Sequence, residues 1–411
     1  MIDTAIIGAG PYGLSVAAHF RSRNIPFRIF GRPMDSWLKH MPKGMQLKSD
    51  GFASNICDAD GTFTLKRFCA DRGISYSDTA SPVALDTFTS YGLAFRDRYV
   101  SELEEKMIES IERTPEGFRL RVDDGEEFMA RRVVLAVGIT HFAHLPEDLA
   151  KLGSQFVSHT SDHYELEPFR GKKIAVVGGG SSALDWAGLL NENGSEVVLV
   201  ARQTALKFHG KPVVGHVRST WDRIRRPQSG LGPGLRSRFY ANSPLTFHRL
   251  PQRFRLDVVK SHLGPSGGWF IKDKVVGRVT CLLGNTIEGS EIQGSCVRLC
   301  LRGPDGSHRQ IDVDHVLAGT GYKVNLNRLT FLSHNIRTSV KNVENTPILS
   351  ASFESSVPGL YFIGVSAANS FGPVMRFAYG AEFAARHLSK CLASALSKSR
   401  ASTQVPVSVS R

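Results

Sequence analysis

Two glycine-rich turns carry the chemistry most readily read from this chain: GAGPYG, Gly8–Gly13, and GGGSSA, Gly178–Ala183. The first satisfies G-x-G-x-x-G directly after an apolar run and directly before an amphipathic stretch. In that setting Gly8 makes the tight turn, Gly10 lets a pyrophosphate approach the backbone, and Gly13 permits close packing of helix on strand. Oriented amides at the helix start then hold the anion. In the second copy Gly178 and Gly180 keep the first two roles, Ala183 takes the third, where only packing is at stake, and Ser181 and Ser182 open the helix. Either turn alone reads equally as a strand-to-helix connection without a ligand. Two copies, 170 residues apart, point to two dinucleotides.

The residue ending the next strand tells nucleotides apart, because an acid there grips a ribose 2′-hydroxyl whereas a cation favours a 2′-phosphate. After the second turn, EVVLVAR ends in Arg202 with no acid beside it, which favours NADPH over NADH; an ordinary surface arginine is the alternative. After the first turn, FRIFGRP puts Gly31 where an acid is expected. Asp35 lies too far along, and Arg32 could contact adenosine or pyrophosphate, so the ribose anchor of that site is left unassigned.

The elements that must position these turns alternate strand and helix. AIIGAG, an amphipathic stretch to about Arg23, and FRIF form a βαβ unit, and the same grammar restarts at KIAVVGGGSSALDWAGLL followed by EVVLVAR. The fold class is therefore α/β, with two Rossmann-type dinucleotide-binding domains. HVLAGTGY reads as a buried strand that breaks at Gly319 and Gly321, where backbone approaches a cofactor or another segment.

Five features together resemble the FAD- and NADPH-dependent class B flavoprotein monooxygenases, the flavin-containing, Baeyer–Villiger and amine N-hydroxylase group. They are GAGPYG, WLKHMPKGMQLKSDGFASN, VVLAVGITHFAHLP, GGGSSALD with Arg202, and the pair AGTGY and GLYFIG; they span Ile2 to about Leu388. The resemblance implies FAD at the first turn and NADPH at the second. It implies a discontinuous FAD domain, residues 1–150 and 311–390, around an NADPH domain at 151–310 that carries a basic, loop-rich insertion; 391–411 is expected to be a flexible tail. Gly138, Gly321 and Gly364 would meet cofactor. Trp37, Gln46 and Leu47 would pass beside the flavin, with Lys48 and Asn55 as the catalytic candidates. Asn55 reads equally as a hydrogen-bond donor to a flavin C4a-hydroperoxide and as a turn residue.

The activity so implied is transfer of one oxygen atom from molecular oxygen to a small-molecule substrate, by N-, S- or C-hydroxylation. An NADPH-driven FAD reductase of a quinone or protein, and a non-catalytic nucleotide sensor, are the alternatives. Gly153 lies six residues ahead of His159, not the four of the Baeyer–Villiger fingerprint, which weakens that branch. A homodimer is left open.

Charge and composition narrow the field. The net charge of +13 resides in one stretch, Arg202–Arg278, which holds sixteen Lys/Arg and three acids. Scattered aromatics there form no stacking motif, so the stretch reads as a solvated surface that steers anionic NADPH rather than a nucleic-acid face. No apolar run reaches the length of a membrane span. Six cysteines without C-x-x-C exclude dithiol chemistry and fit a reduced cytoplasm, as does the absence of a secretory pattern at Met1. The pairs His141/His144 and His159/His163 have no Cys or acid to complete a metal set.

Overall fold

The structure, a computed structural model, describes residues 1–79, 81–211 and 219–403. Both βαβ units form. In the first sheet, strand Ile2–Ile7 lies parallel between Phe27–Phe30 and Glu127–Leu135. The far edge of Glu127–Leu135 is shared: its first half pairs antiparallel with Gly117–Val122, its second half parallel with the late strand Leu360–Phe362. Ala5, Ile6 and Ile7 are all buried, the near-continuous apolar run that a parallel strand covered on both faces requires. The second sheet is wholly parallel, in the order 157–159, 315–318, 173–177, 196–201, 280–283. A three-stranded antiparallel sheet, 286–313, flanks it. Among the described residues no helix is long and apolar enough to cross a membrane.

The crossings between the two units correct the expected boundaries. Strand His315–Ala318 pairs with Val157–His159 and Lys173–Val177, so the second unit extends past residue 310 and the return begins at Gly319. Leu149 packs in the core of the second unit, so the outward crossing precedes 150. The two crossings run side by side: Ala143 bridges Tyr322, and His144 N–H donates to Gly321 O at 2.8 Å.

The basic stretch is not a loop-rich appendage of the second unit. It contains helices Leu235–Asn242, Pro244–His248 and Gln252–Ser261, and it delivers Tyr240, Phe247 and Val258 into the core of the first unit. The Gly- and Pro-dense segments mark turns around these helices, while Tyr240 and Phe247 anchor them; Trp221 and Phe254 stay exposed. Residues 212–218 lie outside the described residues. The tail expected from 391 is helical to Thr403, because Leu388, Leu392 and Leu396 continue an apolar stripe along helix Gly380–Thr403 onto the first core; 404–411 lie outside the described residues.

Candidate active site

The first glycine turn is built by close backbone approach. Gly8 has φ +110°, and a Cβ there would stand 2.3 Å from Ala136 O; a Cβ on Gly13 would stand 1.8 Å from Gly8 O. Gly10 is different, since a Cβ there meets nothing within 4 Å. Helix Pro11–Ser22 begins at Gly10 without a side-chain cap, so its first-turn amides face that open space. The cradle fits a pyrophosphate. The missing acid at position 31 also has a cause: Gly31 has φ +130°, with the Gly8 backbone 3.3 Å from where its Cβ would be. A side chain there would crowd the phosphate turn. Asp35 is engaged by Lys39 and His40 instead.

The second turn repeats the design. Gly178 has φ +137° and helix Ser181–Glu192 likewise starts, at Gly180, without a side-chain cap. Ala183 fits because Gly319, on the crossing strand, has no Cβ to oppose it. Ser182 Oγ donates to Thr160 Oγ1 at 2.8 Å and Ser181 Oγ to Asp185 at 3.3 Å, so both hydroxyls brace the helix start. Arg202 directly follows strand Glu196–Ala201 and is exposed, with no ion pair among the described residues. Its neighbour Gln203 reaches back, Nε2 donating to Gly179 O at 3.0 Å, and fixes the turn.

The segment from Trp37 to Asn55 joins the two units. His40 Nδ1 donates to Ser161 O at 2.6 Å, Lys43 N–H to Tyr164 O at 2.9 Å, and Lys48 Nζ to Ser266 O at 3.1 Å. Gln228, from the basic insertion, donates to Asp50 at 3.0 Å. Within the segment, Trp37 meets Phe88 edge-on at 4.7 Å, Leu47 is buried in the first core, and Gln46 is exposed beside it. Asn55 takes the turn role: its Nδ2 donates to Phe52 O at 2.9 Å and its Oδ1 accepts from Leu65 N–H at 2.8 Å. Such an amide fixes two backbone segments.

The late glycines sit where the crossings meet the first turn. Gly138 (φ +67°) lies beside Ser36. Gly321 (φ +79°) offers its carbonyl to His144 N–H and to His159 Nε2, at 3.1 Å from the latter. His159 Nδ1 accepts from Ser161 N–H, so the neutral ring carries its proton on Nε2, and burial lowers its pKa in keeping with that form. Gly364 (φ +71°) packs against the Tyr12 ring.

Three residues that brace or border the candidate site escaped sequence reasoning. Tyr12, inside GAGPYG, donates its hydroxyl to Phe377 O at 2.8 Å and so clamps the turn Pro373–Arg376 to the first fingerprint helix. Gln203 follows Arg202 directly, and that adjacency was its only local signal. Asp185, buried one turn after Ser181, is pushed up to about 7, chiefly by desolvation, with Ser181 and Lys48 opposing. Lys48 is pulled down by burial, which the charge of Asp185 opposes.

Comparison with known proteins agrees with this geometry. The model of the pyridine nucleotide-disulphide oxidoreductase family matches residues 5–227. Ferredoxin–NADP reductase 2 of Shouchella clausii (strain KSM-K16) is 26% identical over 213 residues, 51% of this chain and 56% of that protein. Indole-3-pyruvate monooxygenase YUCCA1 of Oryza sativa subsp. japonica is 28% identical over 212 residues, 48% of this chain and 47% of that protein. The chain thus spans about half the length of these curated relatives. Among solved structures, the reduced form of ornithine hydroxylase PvdA from Pseudomonas aeruginosa superposes with a TM-score of 0.76 at 16% identity, over 96% of this chain and 100% of that one. Bacillithiol disulfide reductase Bdr from Staphylococcus aureus gives 0.64 at 15% identity, over 96% and 98%. These two likenesses establish the fold. With both glycine turns formed and the family model covering more than half of its length, the chain belongs to the pyridine nucleotide-disulphide oxidoreductase family.

Proposed function

We propose that the chain is an NADPH-dependent flavoprotein monooxygenase that transfers one atom of molecular oxygen to a small organic substrate. The observation that carries this reading is the position of the Trp37–Asn55 segment, tied by His40, Lys43 and Lys48 to the second unit. That tie sets Gly44 of the segment beside Leu189 of the second fingerprint helix, which supports bringing the two cofactors together. The monooxygenase among the relatives supports the same reading.

When bound, FAD supplies the two-electron chemistry that links a reduced nucleotide to oxygen. The chain's part is placement. Uncapped amides at Gly10–Gly13 and Gly180–Ala183 receive the two pyrophosphates. Arg202 receives the 2′-phosphate, with the basic stretch steering the nucleotide inward. Gly138, Gly321 and Gly364 let backbone pass close to the cofactors. Leu47 and Trp37 exclude water, and Lys48 presents a cation at the reacting end.

A second reading, an NADPH-driven flavin reductase of a quinone or protein acceptor, draws support from the ferredoxin–NADP reductase relative. The two separate by oxygen accounting on the purified yellow protein. A monooxygenase has substrates that speed NADPH oxidation while hydrogen peroxide release falls. A reductase passes its electrons to a quinone under nitrogen, and no substrate lowers its peroxide yield in air. A protein that stays colourless after incubation with FAD overturns both.

A further inference from the structure

We propose that the tip of the basic insertion, helix Thr220–Arg225 together with the first turn of helix Leu235–Asn242, docks on a membrane surface that carries anionic lipid headgroups. This interaction goes beyond the reaction and does not depend on it.

The tip holds apolar side chains out in water. Trp221 is 75% exposed, Leu235 65% and Ile224 61%, the three most exposed large apolar side chains among the described residues. Trp221 and Ile224 lie three residues apart on one helix and so share a face. Leu235 joins them, because Gly234 N–H donates to Pro227 O at 2.9 Å and sets the start of the second helix beside the end of the first. The base of this tip is fixed. Ser229 and Leu231 are buried, Gln228 Nε2 donates to Asp50 at 3.0 Å, and the Gly230 backbone lies on the Tyr379 ring, where a Cβ would stand 2.3 Å from it. Ser219 Oγ accepts from Asp222 N–H at 3.1 Å and caps the first helix. The exposed groups are therefore mounted on an anchored frame.

Charge selects the occupant. From Ser219 to Ser243 the chain carries Arg223, Arg225, Arg226, Arg236 and Arg238 against a single acid, Asp222. Arg223, Arg225, Arg236 and Arg238 are exposed and form no ion pair among the described residues, and Arg225 stands one helical turn from Trp221. Apolar side chains interleaved with cations suit a lipid surface: the indole and aliphatic groups enter the headgroup boundary while the guanidinium groups meet phosphate. An acidic protein would satisfy the cations equally. Side chains that project this far, however, need matching recesses in a folded partner, whereas lipid yields around them.

The test is co-sedimentation of the full chain, FAD-loaded, with vesicles of phosphatidylcholine alone and of phosphatidylcholine with about 30% phosphatidylglycerol. The anionic vesicles should bind at least about tenfold more tightly, and about 0.5 M salt should release the protein. Replacing both apolar groups, Trp221→Ser with Ile224→Ser, should weaken binding about tenfold or more. Arg223→Gln and Arg225→Gln should each weaken it about fivefold. The doubly substituted serine variant should keep the wild-type melting temperature and NADPH oxidation rate, because both side chains stand outside the cores. Should it fail to fold, the tryptophan emission decides: vesicles should shift the wild type to the blue and leave Trp221→Phe unshifted. Equal binding to the two vesicles, binding to neither, or full retention by the serine variant overturns the proposal. Tighter binding to soluble poly-glutamate than to vesicles gives the surface to an acidic protein, and release from vesicles by NADPH at its own dissociation constant gives the arginines to the nucleotide. Either outcome also overturns it.

Discussion

Ala183 and Gly319 share one volume: a Cβ built on Gly319 would stand 2.6 Å from the Ala183 methyl. The second fingerprint keeps a methyl at its third position because the crossing strand gives one up. Gly319→Ala overpacks this contact and should cost about 1–3 kcal/mol of stability, with a matching loss of NADPH affinity as the helix start shifts. Ala183→Gly in the same chain should restore only part of it, because the added Cβ would still stand 2.8 Å from the Cα of residue 183. Thermal melts of both single variants and the double measure the coupling; purely additive losses would deny the shared volume.

Gly10→Ala separates fold from cofactor. The position has φ −84° and ψ −171°, which alanine adopts freely, and its Cβ would meet no atom within 4 Å. FAD-free Gly10→Ala should therefore melt within about 1 kcal/mol of the FAD-free wild type. The methyl would occupy the space where the pyrophosphate approaches, so the flavin absorbance per mole of purified protein should collapse. Full yellow colour in this variant would place the approach elsewhere.

Arg202→Gln should weaken NADPH by roughly 10- to 100-fold, the usual worth of a charge-assisted hydrogen bond to phosphate, and leave NADH within about twofold. Fluorescence titration of both nucleotides measures the ratio. Equal weakening would remove the 2′-phosphate role.

Asp185 gives stability a pH signature. Its folded pKa, about 7, lies above the ordinary carboxylate range, so the folded chain holds a proton that the unfolded chain releases. Its contribution is greatest in acid and declines as pH rises from about 4 to about 7, with a slope approaching ~1.4 kcal/mol per unit, then levels off. Asp185→Asn should flatten that decline. Denaturant midpoints of the two proteins at several pH values, compared as differences, isolate the group; parallel curves would show that Asp185 titrates normally.

What could be read in advance was what local backbone demands impose. Gly8 and Gly178 adopt positive φ, a demand set within the turn itself, and the βαβ periodicity around them follows from burial on both faces. What could not be read depends on partners far along the chain. Tyr12 finds Phe377 and Lys48 finds Ser266, and nothing near either residue announces the contact. Asn55 was ambiguous because an amide serves a turn and a cofactor equally well, and its contacts to Phe52 O and Leu65 N–H supply the turn role without deciding the other. The insertion was misjudged because Gly and Pro density describes how helices are joined, not where Tyr240 and Phe247 will be buried.

Those buried side chains have a consequence for motion. Swivelling the second unit as a whole would drag Tyr240, Phe247 and Val258 out of the first unit's interior, at about 1.5–3 kcal/mol for each large apolar group exposed. The insertion thus opposes such a movement by its hold on the first core. Traffic of nucleotide and product is then expected to proceed by local loosening of short segments, with the distance between the two fingerprint helices changing little through the cycle.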